Sequence, residues 1–310
     1  MFAACRRFSL TERVNKRKLT PVIVGFLFMS ILIGCIRNVS GAETTPAVPQ
    51  RVNIVGYNSD AMEPFVTRDG RYLLFNNLNG PPNTNTDIFY AERIDDFDWR
   101  LRGKVDGVDT PALEGCPTMD SNGHMYFVSP RDYGKTLCTI YTGLFKDGKV
   151  TGVRTVESIS RKQPYMVNFD VDVSADGKTM VFVDSQFLPI IGSTYARLVI
   201  AEWNGRQFAR RPNSDRLMAQ VNSGKMQYAP TISLDKLTLY FTRFDPGSKY
   251  PGPQIFRSVR PSLTSPFGPP VHIDGLGNFV EGTCLSSDGG LLYFHRKDGN
   301  IYHLYAVSLP

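Results

Sequence analysis

The chain has 310 residues, of which 42% are hydrophobic and 21% charged. That is enough to bury a real core, too apolar for a disordered chain and too mixed for a polytopic membrane protein. The 27 Gly, 21 Pro and 12% aromatic residues suit turns and strands better than helical repeats. A formal charge of +6 suggests, taken whole, an anionic partner such as nucleic acid. The location of the charge removes that reading. Residues 1–42 hold seven Lys/Arg and one acid, and the rest of the chain holds 28 basic and 28 acidic residues. A neutral body with no basic run excludes nucleic acid as the expected partner.

Residues 1–42 read as an export signal. A basic segment ends at Lys16-Arg17-Lys18, an apolar stretch follows from Pro21 to Gly34, and Ser40-Gly41-Ala42 fits cleavage before Glu43. Two alternatives stay open. Leu32-Ile33-Gly34-Cys35 resembles a bacterial lipobox, which makes Cys35 a candidate lipidation site. An uncleaved anchor is the other, although Pro21 and Gly25 interrupt a stretch already short for a span. All three place the body outside the cytoplasm, either periplasmic or lipid-anchored to the envelope or cell surface. Membrane contact is then expected only through the anchor or lipid. Residues 43–50 form a Pro/Thr-containing linker. Residues 51–310 read as one domain, expected to be monomeric. Its three cysteines, Cys116, Cys138 and Cys284, leave at least one thiol unpaired and show no metal-binding spacing.

Five segments of the body share one pattern. They are EPFVTRDGRYLLFNN (63–77), CPTMDSNGHMYFVS (116–129), DVDVSADGKTMVFVD (170–184), APTISLDKLTLYFTR (229–243) and GTCLSSDGGLLYFHR (282–296). Each is a short strand, a turn and an apolar strand. The turn pairs are Asp69-Gly70, Asn122-Gly123, Asp176-Gly177, Asp235-Lys236 and Asp288-Gly289, spaced by 53, 54, 59 and 53 residues. Asp-Gly and Asn-Gly supply the positive φ of a tight turn, so Lys236 predicts a different turn type. Alternation in the second strand (Tyr72, Leu74; Met125, Phe127; Met180, Phe182; Leu239, Phe241; Leu292, Phe294) predicts a half-buried strand. Third strands are expected at 87–92, 139–144, 197–202, 254–259 and 303–307. Fourth strands are expected near 99–104, 150–156, 217–221 and 270–273. The fifth unit lacks a fourth strand, and residues 51–57 (RVNIVGY) are expected to supply it. Radially repeated four-stranded units make a five-bladed β-propeller, all-β and antiparallel within each blade.

APTISLDKLTLYF with QIFRSV, and DVDVSADGKTMVF with LVIAE, resemble the TolB-type, WD-repeat-like propeller repeat. The resemblance covers residues 51–310. It implies a cell-envelope binding or interaction protein whose partner is an envelope protein, a polar small ligand or a glycan. TolB proteins add an N-terminal domain and have six blades, which this chain does not match.

No GxSxG, HExxH, GxGxxG or phosphate-binding loop is present, and no EF-hand loop is completed. Chemistry is therefore sought at the central channel, where inner strands begin. Glu63, Glu114 with Cys116, Asp170 with Asp172, Gln227 with Tyr228, and Glu281 are expected at one mouth. Four of five blades then contribute a carboxylate. Glu63, Glu114, Asp170, Asp172, Tyr228 and Glu281 are the candidate ligand-binding residues. A cation such as calcium at the mouth is an open expectation, and no other cofactor is expected. The alternative to a binding protein is a hydrolase with Glu63, Glu114, Asp170 and Glu281 as candidate catalytic acids. Glu63-Pro64-Phe65 and Glu114-Gly115-Cys116-Pro117 resemble the blade starts of five-bladed arabinanase-like glycoside hydrolases. Their registers differ, since Glu63 lies six residues before its turn, Glu281 seven and Glu114 eight. Residues 79–86 and 244–253 are long loops suited to binding. Residues 186–195 are unusually apolar for a surface connection.

Overall fold

A computed structural model describes residues 48–78, 85–188 and 191–309. The leader with Cys35, most of the linker and residues 79–84 of the first long loop lie outside these residues. Each repeat folds as an antiparallel sheet, its first strand innermost. Blade 1 comprises Met62–Val66, Tyr72–Asn76, Ile88–Arg93 and Asp98–Lys104. Blade 2 comprises Gly115–Met119, His124–Val128, Ile140–Lys146 and Lys149–Thr155. Blade 3 comprises Met166–Val173, Thr179–Leu188, Gly192–Trp203 and Phe208–Arg210. Blade 4 comprises Met226–Ile232, Thr238–Phe244, Gln254–Val259 and Val271–His272. Blade 5 comprises Val280–Leu285, Leu291–Asp298 and Ile301–Ser308, completed by Gln50–Arg51. The fold is an all-β, five-bladed propeller.

The closing strand is shorter than expected. Gln50 pairs with Ala306 and Arg51 with Tyr305. The next residues leave blade 5, and Asn53–Val55 runs parallel to Asp98–Lys104 of blade 1. One extended segment thus covers two sheet edges, with Val52 and Ile54 buried on its inner side. The fourth strand of blade 3 also differs from expectation. It is Phe208–Arg210, paired with Ala201, Glu202 and Trp203. Residues 217–221 instead lie between two short helical turns, Ser214–Leu217 and Val221–Ser223. Leu217, Met218 and Val221 are fully buried, so their apolar run follows helical spacing rather than a strand. The apolar residues around 186–195 extend a hairpin, because Thr179–Leu188 and Gly192–Trp203 reach almost to its tip.

The turns show why the motif repeats. Thr67, Ser174, Ser233 and Ser286 donate to Asp69, Asp176, Asp235 and Asp288 at 2.5–2.6 Å. The same hydroxyls accept the N–H groups of Tyr72, Thr179, Thr238 and Leu291 at 2.9 Å. The residue after the Asp or Asn is left-handed in all five turns, Lys236 included at φ 61°. Lys236 N–H bonds Ser233 O at 2.9 Å, as Gly177 bonds Ser174. Its turn therefore does not differ in type. The side chain costs about 1–2 kcal/mol in that conformation, and its ammonium meets Asp176 at 2.7 Å.

The second strands are buried on both faces, not one. Leu73, Phe75, Val181, Val183 and Tyr293 are as inaccessible as the alternating set, because each sheet is packed between two neighbours. A chain beginning at Val52 loses the closing strand. It is expected to lose roughly 2 kcal/mol of stability, at about 1 kcal/mol per backbone hydrogen bond. It should also associate through the bared edge of Ile301–Ser308. Calorimetry and light scattering check both outcomes.

Candidate channel-mouth site

Each inner strand carries a bulge at the same place. The ladder slips between Met62 and Phe65, Gly115 and Thr118, Phe169 and Asp172, Tyr228 and Thr231, and Glu281 and Cys284. At each slip one residue is left-handed: Glu63 (φ 50°), Cys116 (52°), Asp170 (44°), Ala229 (46°) and Gly282 (64°). Each lies six residues before the Asp or Asn of its turn. The bulge re-aims this position toward the channel axis. Four of the five N–H groups are clamped by side chains. Cys116 N–H donates to Asn76 Oδ1 (3.0 Å), Ala229 N–H to Asp170 Oδ2 (3.0 Å), Gly282 N–H to Thr242 Oγ1 (3.3 Å) and Glu63 N–H to His295 Nδ1 (3.2 Å).

The ring brings Glu63, Cys116 and Asp170 together, with donor atoms within 4.8 Å of one another. Cys116 Sγ donates to Asp170 Oδ1 at 2.9 Å. Glu281 and Tyr228 sit one residue earlier in their strands, and Tyr228 Oη donates to Glu281 Oε2 at 2.6 Å. Blades 4 and 5 present only Ala229 and Gly282 at the ring itself. A Cβ at Gly282 would lie 2.6 Å from Glu63 Oε2 and 2.5 Å from His295 Nδ1, so the glycine makes room for the Glu63 carboxyl.

Asp172 lies deeper and is a brace. It accepts from Thr118 Oγ1 (2.7 Å), Ile232 N–H (2.8 Å) and Arg68 Nη2 (3.3 Å). Arg68 also donates to Met119 O and Val173 O, bridging three blades below the ring. The channel between has a cavity of about 30 Å³, room for about one water rather than a pore. Glu114 is not at the mouth. It is fully buried and held by Thr110 N–H and Oγ1, Ser129 Oγ and Arg131. Three blades, not four, therefore contribute carboxyls to the mouth.

The shared enclosure raises all three carboxyl pKa values. Burial pushes Glu63 well above the usual range, and Asp170 and Glu281 add to it. Burial lifts Glu281 to about 7 against the Tyr228 hydrogen bond, with Asp170 adding to the rise. Burial lifts Asp170 to about 6, opposed by the Cys116 thiol and the Ala229 N–H. Burial and the same acids push the Cys116 thiol up, which disfavours the reactive thiolate. Burial holds His295 down at about 3, which suits an imidazole accepting at Nδ1. Glu63, Cys116 and Asp170 can gather round a cation, but a thiol is foreign to the all-oxygen shell calcium prefers. Asp87, Asp109 and Glu114 form a second group, already met by Lys104 and Arg131.

Exposed aromatics stand at the same end of the ring. Tyr165 and Phe279 immediately precede inner strands, and Phe187 is near the end of a second strand. They are 50%, 42% and 50% exposed. Tyr165 (φ 67°) and Phe279 (φ 54°) are held left-handed, a strain of the kind kept at working surfaces. Phe187 lies in the apolar 186–195 stretch that the sequence singles out; nothing in the sequence marks Tyr165 and Phe279, because exposure depends on where loops lie.

No known family's sequence pattern matches the chain. No curated protein matches it in sequence. Solved structures do. A structure described as a glycoside hydrolase is 13% identical with a TM-score of 0.60, covering 86% of this chain and 92% of its own. The exo-β-1,3-galactanase of Clostridium thermocellum is 15% identical with a TM-score of 0.53, covering 85% and 62%. These likenesses are of fold. TolB from Acinetobacter baumannii is 12% identical with a TM-score of 0.46, covering 81% and 55%, too remote to carry the envelope-platform expectation.

Raised carboxyl pKa values in the fold favour the protonated folded state. Their stabilisation is complete below the unfolded carboxyl range and is lost as pH rises through about 6 for Asp170 and about 7 for Glu281. His295 acts oppositely, costing stability as pH falls from its ordinary value toward about 3. Three carboxyls outweigh one imidazole. Relative to wild type, Glu281→Gln should therefore show a smaller fall in melting temperature between pH 5 and 8. Arg68→Ala strands the buried Asp172 and should cost about 3–5 kcal/mol in urea unfolding.

Proposed function

We propose that the chain is a carbohydrate-active protein that hydrolyses a glycan laid across the channel mouth. The observation that carries this reading is the convergence of Glu63, Asp170 and Glu281 with their protons unequally held. Glu63 is the proton donor. Its carboxyl makes no side-chain hydrogen bond among the described residues, and burial, with Asp170 and Glu281 nearby, raises its pKa and favours the protonated form. Glu281, hydrogen-bonded by Tyr228 and titrating near 7, is the proton acceptor. Asp170 has both oxygens engaged, one by Cys116 and one by Ala229 N–H, so it acts as a fixed anion beside Glu63. The Glu63–Asp170 approach within 4.8 Å is slightly tighter than the roughly 5–5.5 Å of a retaining acid–nucleophile pair. That distance and Asp170's engaged oxygens favour its electrostatic role. Tyr165, Phe187 and Phe279 offer the apolar faces on which sugar rings stack.

The resemblance to glycoside hydrolases of families 43 and 62 supports this reading at the level of fold. The leader supports action outside the cytoplasm, periplasmic or on the cell surface. A binding protein without turnover is the second reading, favoured by the small cavity beneath the ring. An oligosaccharide panel including β-1,3-galactan and xylotriose separates the two. Hydrolysis should fall at least ~100-fold in Glu63→Gln and in Glu281→Gln, the low end of general acid–base contributions. Asp170→Asn removes a like charge, lowers the Glu63 pKa and should move the alkaline limb of the pH–rate profile down. Binding without sugar release in the wild type would leave only the second reading.

A further inference from the structure

The repeat supplies its own control for a second feature, at the mouth end of blade 4. Eight residues before the turn stand Glu114 in blade 2, Asn168 in blade 3 and Gln227 in blade 4. In blade 2 the Ser129 hydroxyl bonds Glu114 at 2.8 Å. In blade 3 Asn168 Nδ2 bonds its cross-strand partner, the Asp184 carboxylate, at 2.6 Å. Each carboxylate is also met by arginine, Glu114 by Arg131, and Asp184 by Arg161 and Arg210. Both clusters are closed by a carboxylate within the chain.

Blade 4 has an arginine, Arg243, whose carboxylate partner Asp245 makes no hydrogen bond to it. Gln227 lies opposite Arg243, and Arg243 opposite Gln254, so the three form one row across the sheet. Gln227 is fully buried and Gln254 is 3% exposed. Gln227 Nε2 and Oε1, Arg243 Nε and Gln254 Nε2 have no hydrogen-bond partner among the described residues. Leaving four such atoms buried is costly. Arg243 Nη2 is occupied by Val221 O (2.9 Å) and Ser223 Oγ (3.1 Å). The carboxylate nearest to its Nε, Asp245, lies 3.9 Å off and accepts instead from Lys225 N–H at 2.5 Å. The row directly precedes Tyr228, the partner of Glu281.

We propose that this row is a subsite for a uronic-acid unit, its carboxylate taken by Arg243 and Gln254 and an adjacent hydroxyl by the Gln227 amide. A carboxylate alone satisfies the three donors, as Glu114 and Asp184 do for their arginines. It cannot satisfy Gln227 Oε1, which needs a donor, and a sugar hydroxyl is one. In the neighbouring 244–253 loop Tyr250 stacks on His272, itself bonded to Gln254. The subsite rests on the glycan reading and names the chemical class of glycan.

Titration calorimetry with digalacturonate, the matching neutral digalactoside and acetate tests it. Digalacturonate should bind at least ~10-fold tighter than the neutral sugar, and acetate should not compete. Gln227→Glu places a carboxylate of the chain itself on Arg243, as in blades 2 and 3. It should abolish the acidic preference with a melting temperature at or above wild type. Gln227→Met, which removes both amide atoms without adding charge, should also lose the preference and stands in if the Glu variant does not fold. Equal binding of charged and neutral sugars, or a preference that survives both variants, overturns the subsite while the glycan reading stands. Competition by acetate overturns the uronate assignment. Binding of neither sugar overturns the subsite and the glycan reading together.

Discussion

The left-handed residue in each inner strand is the constraint on which the rest depends. Without it a strand would run straight past the axis, and its side chains would alternate between two neighbouring blades. With it, one residue per blade turns to the centre and the ladder resumes below. For Glu63, Cys116, Asp170 and Ala229 that conformation costs about 1–2 kcal/mol each. The cost is borne because each blade closes against the next through that position. Asn76 holds Cys116, Thr242 holds Gly282 and His295 holds Glu63. His295 has the most demanding place, since it clasps the first blade to the last and must stay uncharged to accept.

The same constraint creates the chemistry. Three blades could have placed apolar groups on the axis, as blade 4 does with Ala229. They place two carboxyls and a thiol, with a third carboxyl from Glu281 one residue earlier. Burial above all, with like charge added at Glu63 and Glu281, raises all three carboxyl pKa values, to about 6 for Asp170 and about 7 for Glu281. The charge below is treated differently. Asp172 is met by Arg68 and by two further hydrogen bonds, from Thr118 Oγ1 and the Ile232 N–H. Balanced charge at depth and unbalanced charge at the mouth separate the brace from the reactive site.

The fold was legible because its repeat rests on local chemistry. A hydroxyl two residues before an Asp, a left-handed residue after it and an apolar strand beyond are all readable along the chain. Lys236 misled because one residue type departed while the hydrogen bonds did not. Residues 217–221 misled because an apolar run was read without its period. The site was legible in part for a related reason. Glu63 and Asp170 share the register six residues before the turn, and Cys116 shares it too. Glu114, two residues earlier, was grouped with them by charge rather than register. Its carboxyl is spent on Thr110, Ser129 and Arg131, partners that only the folded loops bring to it.

Register also explains how one scaffold separates structural from functional polarity. At the position held by Glu114, Asn168 and Gln227, the first two are enclosed by partners that neutralise and rigidify them. An evolving ring needs such closure in most blades, since an unsatisfied buried group in each would exceed the stability of the whole. It can tolerate one open cluster where a ligand completes the hydrogen bonds. Gln227 immediately precedes Tyr228, the partner of Glu281, and Arg243 and Gln254 stand opposite it on the next two strands, so a ligand held there would reach toward the acid ring. The departure from five-fold symmetry, more than the symmetry, is what gives the mouth a direction.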